Sequence, residues 1–147
     1  MPLAAGDTVV SSIAPGWVGE TLRGSGASVG PFTTTETVVT SFTFTAVGVA
    51  RYRVIAHQHV RSSVAGDTVQ LRLRREAGGT LTTAGTQFDT INQGCLTTNL
   101  VAVLLGTFTN VSGQVTVGVT AARLSGTGNI TMDGFSTAAS KLLVERC

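Results

Sequence analysis

Residues 50–75 read ARYRVIAHQHVRSSVAGDTVQLRLRR, and the alternation in this stretch decides the fold class. Successive side chains of a strand point to opposite faces, so residues two apart share a side. In the first half Ala50, Tyr52, Val54 and Ala56 share one face, while Arg51, Arg53, Ile55, His57, His59 and Arg61 share the other. In the second half Val69, Leu71 and Leu73 alternate with Gln70, Arg72 and Arg74. Ala65-Gly66-Asp67 between them is turn-forming, so the pattern predicts a β-hairpin with an apolar core side and a basic outer side.

The same signature recurs on both sides of this stretch. Phe42 and Phe44 with intervening threonines predict a half-buried strand, and Val115, Val117 and Val119 predict the inward face of another. Gly118 and Ala122 on the opposite face of that strand are small enough for close packing. Residues 129–132 and 141–146 predict two further short strands, residues 80–88 an edge strand, and Asn92-Gln93-Gly94 a loop. Residues 100–109, LVAVLLGTFT, are apolar on both faces, which in an antiparallel sheet predicts cover on both sides. Turn signals every ten or so residues and no helical periodicity predict an all-β protein, an antiparallel β-sandwich of jelly-roll-like type.

The domain reading follows. Residues 1–23 are weakly patterned, with short strands expected at 7–10 and 17–22, and read as an N-terminal arm carrying the single tryptophan, Trp17. Residues 24–30 are Gly/Ser-rich and read as a linker. Residues 31–147 read as the sandwich domain. A chain of 147 residues can bury a core without metals or disulfide staples.

Composition narrows the function classes. Only 12% of residues are charged, against about 25% in an average domain, so the surface suits packing against neighbours. A net charge of +2 gives no bulk argument for nucleic acid, and the basic face carries no stacking aromatics. Six of the ten Lys and Arg residues lie within residues 50–75 beside one acid, Asp67. Like charges on adjacent strands are unfavourable unless matched. This arrangement predicts that Arg51, Arg53, Arg72 and Arg74 face carboxylates of another protomer or partner. No apolar run approaches the ~20 residues of a membrane helix, and the start lacks a signal-peptide pattern. The expectation is a protein made in a cytoplasm, with Cys95 and Cys147 as free thiols.

Catalytic and metal-binding patterns are weak. His57 and His59 share a strand face about 6.6 Å apart by strand rise, a spacing able to chelate a metal, yet no carboxylate or thiol stands beside them in sequence. A structural or interface role is expected for them, with a metal at a symmetry axis as the alternative. The carboxylates are dispersed and no nucleophile motif is present, so no enzyme and no cofactor is expected. Trp17 and Phe135 are the aromatics available to a glycan.

Phe42-Thr43-Phe44-Thr45, Ala50-Arg51-Tyr52-Arg53-Val54 and residues 66–74 (GDTVQLRLR) together resemble a family of tailed-bacteriophage virion proteins, especially from phages of actinobacteria. Residues 122–128 (ARLSGTG) and 142–146 (LLVER), with the opening MPLAAGD, are similar as well. The resemblance implies a jelly roll like that of tumour necrosis factor and the complement globular head, trimerising around apolar strands. It implies a virion location, as a capsid decoration protein or, alternatively, a minor tail or fibre module binding host-surface glycan. The implied partners are further copies of the chain and the major capsid protein, with no direct nucleic acid and no membrane. Val9, Val10, Trp17, Val18 and Leu22 would then contact the shell. Leu100, Val101, Val103, Leu105, Leu142 and Leu143 would join the arginines and histidines at the subunit interface or the core beside it.

Overall fold

The computed structural model describes residues 16–24, 26–134 and 139–147. Within them the chain forms β1 (Gly16–Arg23), β2 (Ser28–Phe32), β3 (Thr37–Ala46), β4 (Tyr52–Ser62), β5 (Thr68–Ala77), β6 (Thr86–Gly94), β7 (Leu100–Phe108), β8 (Gly113–Ser125), β9 (Ile130–Asp133) and β10 (Ser140–Arg146). No described residue is helical. Every strand pairing is antiparallel. One sheet runs β3-β8-β5-β6; the other runs β1-β10-β4-β7, with β9 pairing the far half of β4 and β2 pairing β9. Two such sheets with non-sequential neighbours form the jelly-roll-like sandwich expected from the alternation.

The alternation places the core correctly. Tyr52, Val54, Ala56 and Val60 of β4 face Val69, Leu71 and Leu73 of β5 and Val115, Val117 and Val119 of β8, all buried. Tyr52 packs between Phe44 and Phe108, at ring-centroid distances of 5.0 and 5.5 Å, and its hydroxyl accepts the Val47 amide at 2.7 Å. A buried tyrosine needs such a partner for its polar end. The outer face of β8 is tight: a Cβ on Gly118 would meet the Thr40 carbonyl and the Leu81 side chain.

The expected hairpin is not one. β4 and β5 lie in different sheets, and β5 pairs with β6 and β8 instead. Residues 63–67 carry the chain from one sheet to the other, around a buried Asp67 carboxylate. That carboxylate accepts the Ser62 hydroxyl at 2.5 Å, the Gly128 amide at 2.9 Å and the Thr127 amide at 3.2 Å. Asp67 thereby ties the crossover to residues 127–128, and alternating patterns in one segment leave pairing partners undetermined.

Other boundaries shift too. The strand expected at 17–22 forms as Gly16–Arg23 and lies at the edge of its sheet, with Glu20, Thr21 and Leu22 in register with Leu143, Leu142 and Lys141. Ser28, Val29 and Gly30 of the expected linker lie within β2, and Asn92-Gln93-Gly94 ends β6 rather than forming a loop. Residues 7–10, including Val9 and Val10, and Phe135 lie outside the described residues.

The sandwich is clasped along both open sides. On one, Thr21 and Arg23 of β1 donate to the Ser41 and Val39 carbonyls of β3 at 3.0 and 2.7 Å. On the other, the Leu105 amide of β7 donates to Asp89 Oδ2 of β6 at 3.0 Å. That bond occupies a donor on the edge of β7, one way of blunting an exposed strand.

Candidate functional site

The outer face of the β1-β10-β4-β7 sheet carries the most unusual surface of the molecule. β7 alternates strictly: Ala102, Leu104 and Gly106 are buried, whereas Val101, Val103 and Leu105 are 46%, 51% and 58% exposed. Register places Leu105 beside Ile55 and Leu143, with Glu20 beyond; the next row is Val103, His57, Lys141 and Leu22. His59 and Val101 form a third row. Leu22 is exposed, while Ile55, His57 and Leu143 are half-buried. The result is an apolar strip of Val101, Val103, Leu105, Ile55 and Leu143 across β7, β4 and β10, with Glu20 beyond Leu143 and Lys141 standing between it and Leu22 on β1. Among the described residues, nothing covers the outer face of residues 101–105. Leu142, and to a lesser degree Leu100, pack on the core instead.

The arginines behave differently from expectation. Because β4 and β5 belong to different sheets, Arg51 and Arg53 lie on one outer surface of the sandwich, and Arg72 and Arg74 on the opposite one. They do not form one basic face, and the chain itself supplies acids to Arg53, Arg72 and Arg74, while Arg51 donates to the Thr107 hydroxyl at 3.4 Å. Arg72 and Arg74 both reach Glu36, at 2.8 and 2.7 Å. Arg53 pairs with Glu145, which raises its pKa by hydrogen bonding and charge, and Arg61 pairs with Asp133 at 2.6 Å. Burial alone would raise the Glu36 carboxyl, but hydrogen bonds from Arg74 and Thr120 and the charges of Arg74 and Arg72 outweigh it, so its pKa is lowered. Glu36, Asp133 and Glu145 were invisible as partners because they lie far from these arginines in sequence.

His57 and His59 stand edge to face, 5.1 Å between ring centroids. His59 is buried, with its amide donating to the Ser140 hydroxyl at 3.2 Å, and Asp133 is its cross-strand neighbour. Among the described residues no three His, Cys, Asp or Glu side chains converge as a metal-binding group.

Trp17 is 61% exposed. It borders an open cleft of about 420 Å³ with Arg53, Glu145, Arg146 and Cys147. Val18 is half-buried against the core, so of the expected contact residues on β1 only Trp17 and Leu22 face outward freely. The described carboxylates are mostly committed to structure: Glu36, Asp133 and Glu145 to arginines, Asp67 to the crossover, Glu76 to Thr82 at 2.8 Å, and Asp89 to the Leu105 amide. None stands beside a second carboxylate or a nucleophile in a catalytic arrangement.

No family model and no curated protein matches the chain. Among solved structures, it is similar to the C-terminal domain of EclA, a sugar-binding protein, at 13% identity and a TM-score of 0.49, over 98% of this chain and 86% of that one. It is also similar to a chain of infectious bursal disease virus, Gx strain, at 13% identity and a TM-score of 0.45, over 100% of this chain and 36% of that one.

Proposed function

We propose that this chain is a non-enzymatic structural protein of a virus particle, which self-associates as a trimer and decorates the head of a tailed bacteriophage. The observation that carries the reading is the exposed apolar strip of Val101, Val103 and Leu105, continued by Ile55 and Leu143. Three exposed aliphatic side chains on one strand face, joined by neighbours on adjacent strands, mark an association surface. The strand and turn motifs that resemble phage virion proteins support the location. A trimer is the assembly that the resemblance to phage virion proteins implies, with this face at its interface. Trp17 and Leu22 would then lie at the margin of that face, available to the shell. Repetition over many equivalent shell sites would turn modest single contacts into firm attachment.

A second reading places the same fold on the tail, as a module binding host-surface glycan. The exposed indole of Trp17 beside the cleft of Arg53 and Glu145 favours it, since an aromatic face flanked by polar groups is how proteins hold sugar rings. A low-resolution image of the particle separates the two. Density repeating over the shell supports decoration, and density confined to the tail supports the second reading. Absence of the chain from purified particles overturns both.

A further inference from the structure

At one end of the sandwich a cavity of about 250 Å³ opens between Arg75, Glu76 and Ala77 of β5, Thr86 of β6, Val111 and Ser112 of the loop before β8, and Val115 of β8. Arg75 is the anomaly there. It continues the inward row of Val69, Leu71 and Leu73, so a guanidinium stands where the alternation calls for a core side chain. Its carbon Cζ lies 5.2 Å from the centre of the Phe108 ring, on the opposite sheet. Its Nε is shut off from solvent and has no hydrogen-bond partner. Arg53, Arg61, Arg72 and Arg74 each have a carboxylate, whereas no described carboxylate pairs with Arg75. A buried guanidinium donor without an acceptor is unfavourable by itself, and a ring beneath it satisfies the charge only in part.

We infer that this cavity binds a small hydroxylated carboxylate of the sugar-acid class, with its carboxylate on Arg75. The planar fork of an arginine matches a carboxylate in two-point contact, here through its two terminal nitrogens, since Nε is enclosed. One arginine opposite the nearby Glu76 suits a single negative charge better than the double charge of a phosphate group. Glu76 is held by the Thr82 amide and hydroxyl, both at 2.8 Å, and so is not free to take the arginine itself. Thr86 and Ser112 offer hydroxyls, and Ala77, Val111 and Val115 offer an apolar wall for the ring carbons. The volume is below the roughly 300–1,000 Å³ of drug-sized pockets, which limits the ligand to about one ring. This site is separate from the apolar strip and from the Trp17 cleft, and it does not depend on either functional reading.

The test uses the isotope-labelled full chain titrated with glucuronate, glucose and inorganic phosphate, following the arginine Nε–Hε signals and the amides of Thr86 and Ser112 by NMR. Saturable shifts of the Arg75 Nε–Hε, Thr86 and Ser112 signals with glucuronate, and none with glucose, are expected. Arg75→Gln should weaken binding at least about tenfold, the effect of losing a charged hydrogen-bond pair. Ser112→Ala, on a loop and without effect on the core, should weaken it a few-fold and serves if Arg75→Gln does not fold. No saturable shift with glucuronate overturns the site. Equal binding of glucose or phosphate overturns the sugar-acid assignment.

Discussion

Ser62 and Asp67 are joined by a hydrogen bond of 2.5 Å across the segment that carries the chain from one sheet to the other. The same carboxylate takes the amides of Thr127 and Gly128, so the crossover and the loop between β8 and β9 are fixed together. Replacing Asp67 with Ala leaves three buried or half-buried donors without acceptors. The expected loss of stability is about 2–3 kcal/mol, measured by urea unfolding, with a smaller loss of about 1 kcal/mol for Ser62→Ala. Equal stability of Asp67→Ala and the parent would show that the crossover does not depend on this carboxylate.

Glu36 links stability to pH. Its folded pKa lies below the unfolded value of about 4.3. The folded state therefore holds fewer protons there, and this contribution is fully present above that value and lost as pH falls through the folded pKa. Glu36→Gln should lower stability near neutral pH by about 1–2 kcal/mol, since Arg72 and Arg74 lose their acid. The difference between parent and variant should shrink below about pH 4. A difference that stays constant across this range in unfolding titrations would count against the carboxylate as its source.

The apolar strip predicts a separation between folding and assembly. Val103 and Leu105 are more than half exposed in the single chain, so Val103→Asp and Leu105→Asp should change its stability by only about 0.5 kcal/mol. Buried against another copy, the same carboxylates would be strongly unfavourable. Sedimentation velocity should show the parent as an oligomer and the variants as monomers. An unchanged distribution would remove this face from the interface.

The two thiols should report on different things. Cys95 is buried; burial first, then the nearby Asp67 charge, raises its pKa against a backbone hydrogen bond that lowers it. Cys147 is exposed. Cys95 sits beside the far end of β4, where the Ser62 amide donates to the Leu96 carbonyl, while the Cys147 amide donates to Arg51 at the near end. The eleven residues of β4 separate those ends by about 33 Å, too far for a disulfide within one chain. A thiol reagent should modify Cys147 at once and Cys95 only on unfolding. Two equally fast reactions, or none in a freshly reduced sample, would contradict this placement.

Strand parity was legible in the sequence because it is local. Tyr52, Val54, Leu71 and Leu73 declare their inward face through the two-residue period alone, and the structure buries each of them. Arg53, Arg72 and Arg74 declare their outward face in the same way. Which strand lies beside which is set by contacts between residues far apart in the chain, and one alternating run pairs as well with any other of matching parity. Residues 50–75 therefore showed two strands with the right faces, but the hairpin expected between them does not form. Only the tertiary structure separated them into two sheets, divided the arginines between opposite surfaces, and brought Glu36, Asp133 and Glu145 to meet them. It also placed Arg75 on the core side without an acid and left Val101, Val103 and Leu105 uncovered, because burial depends on what the rest of the chain has left to pack.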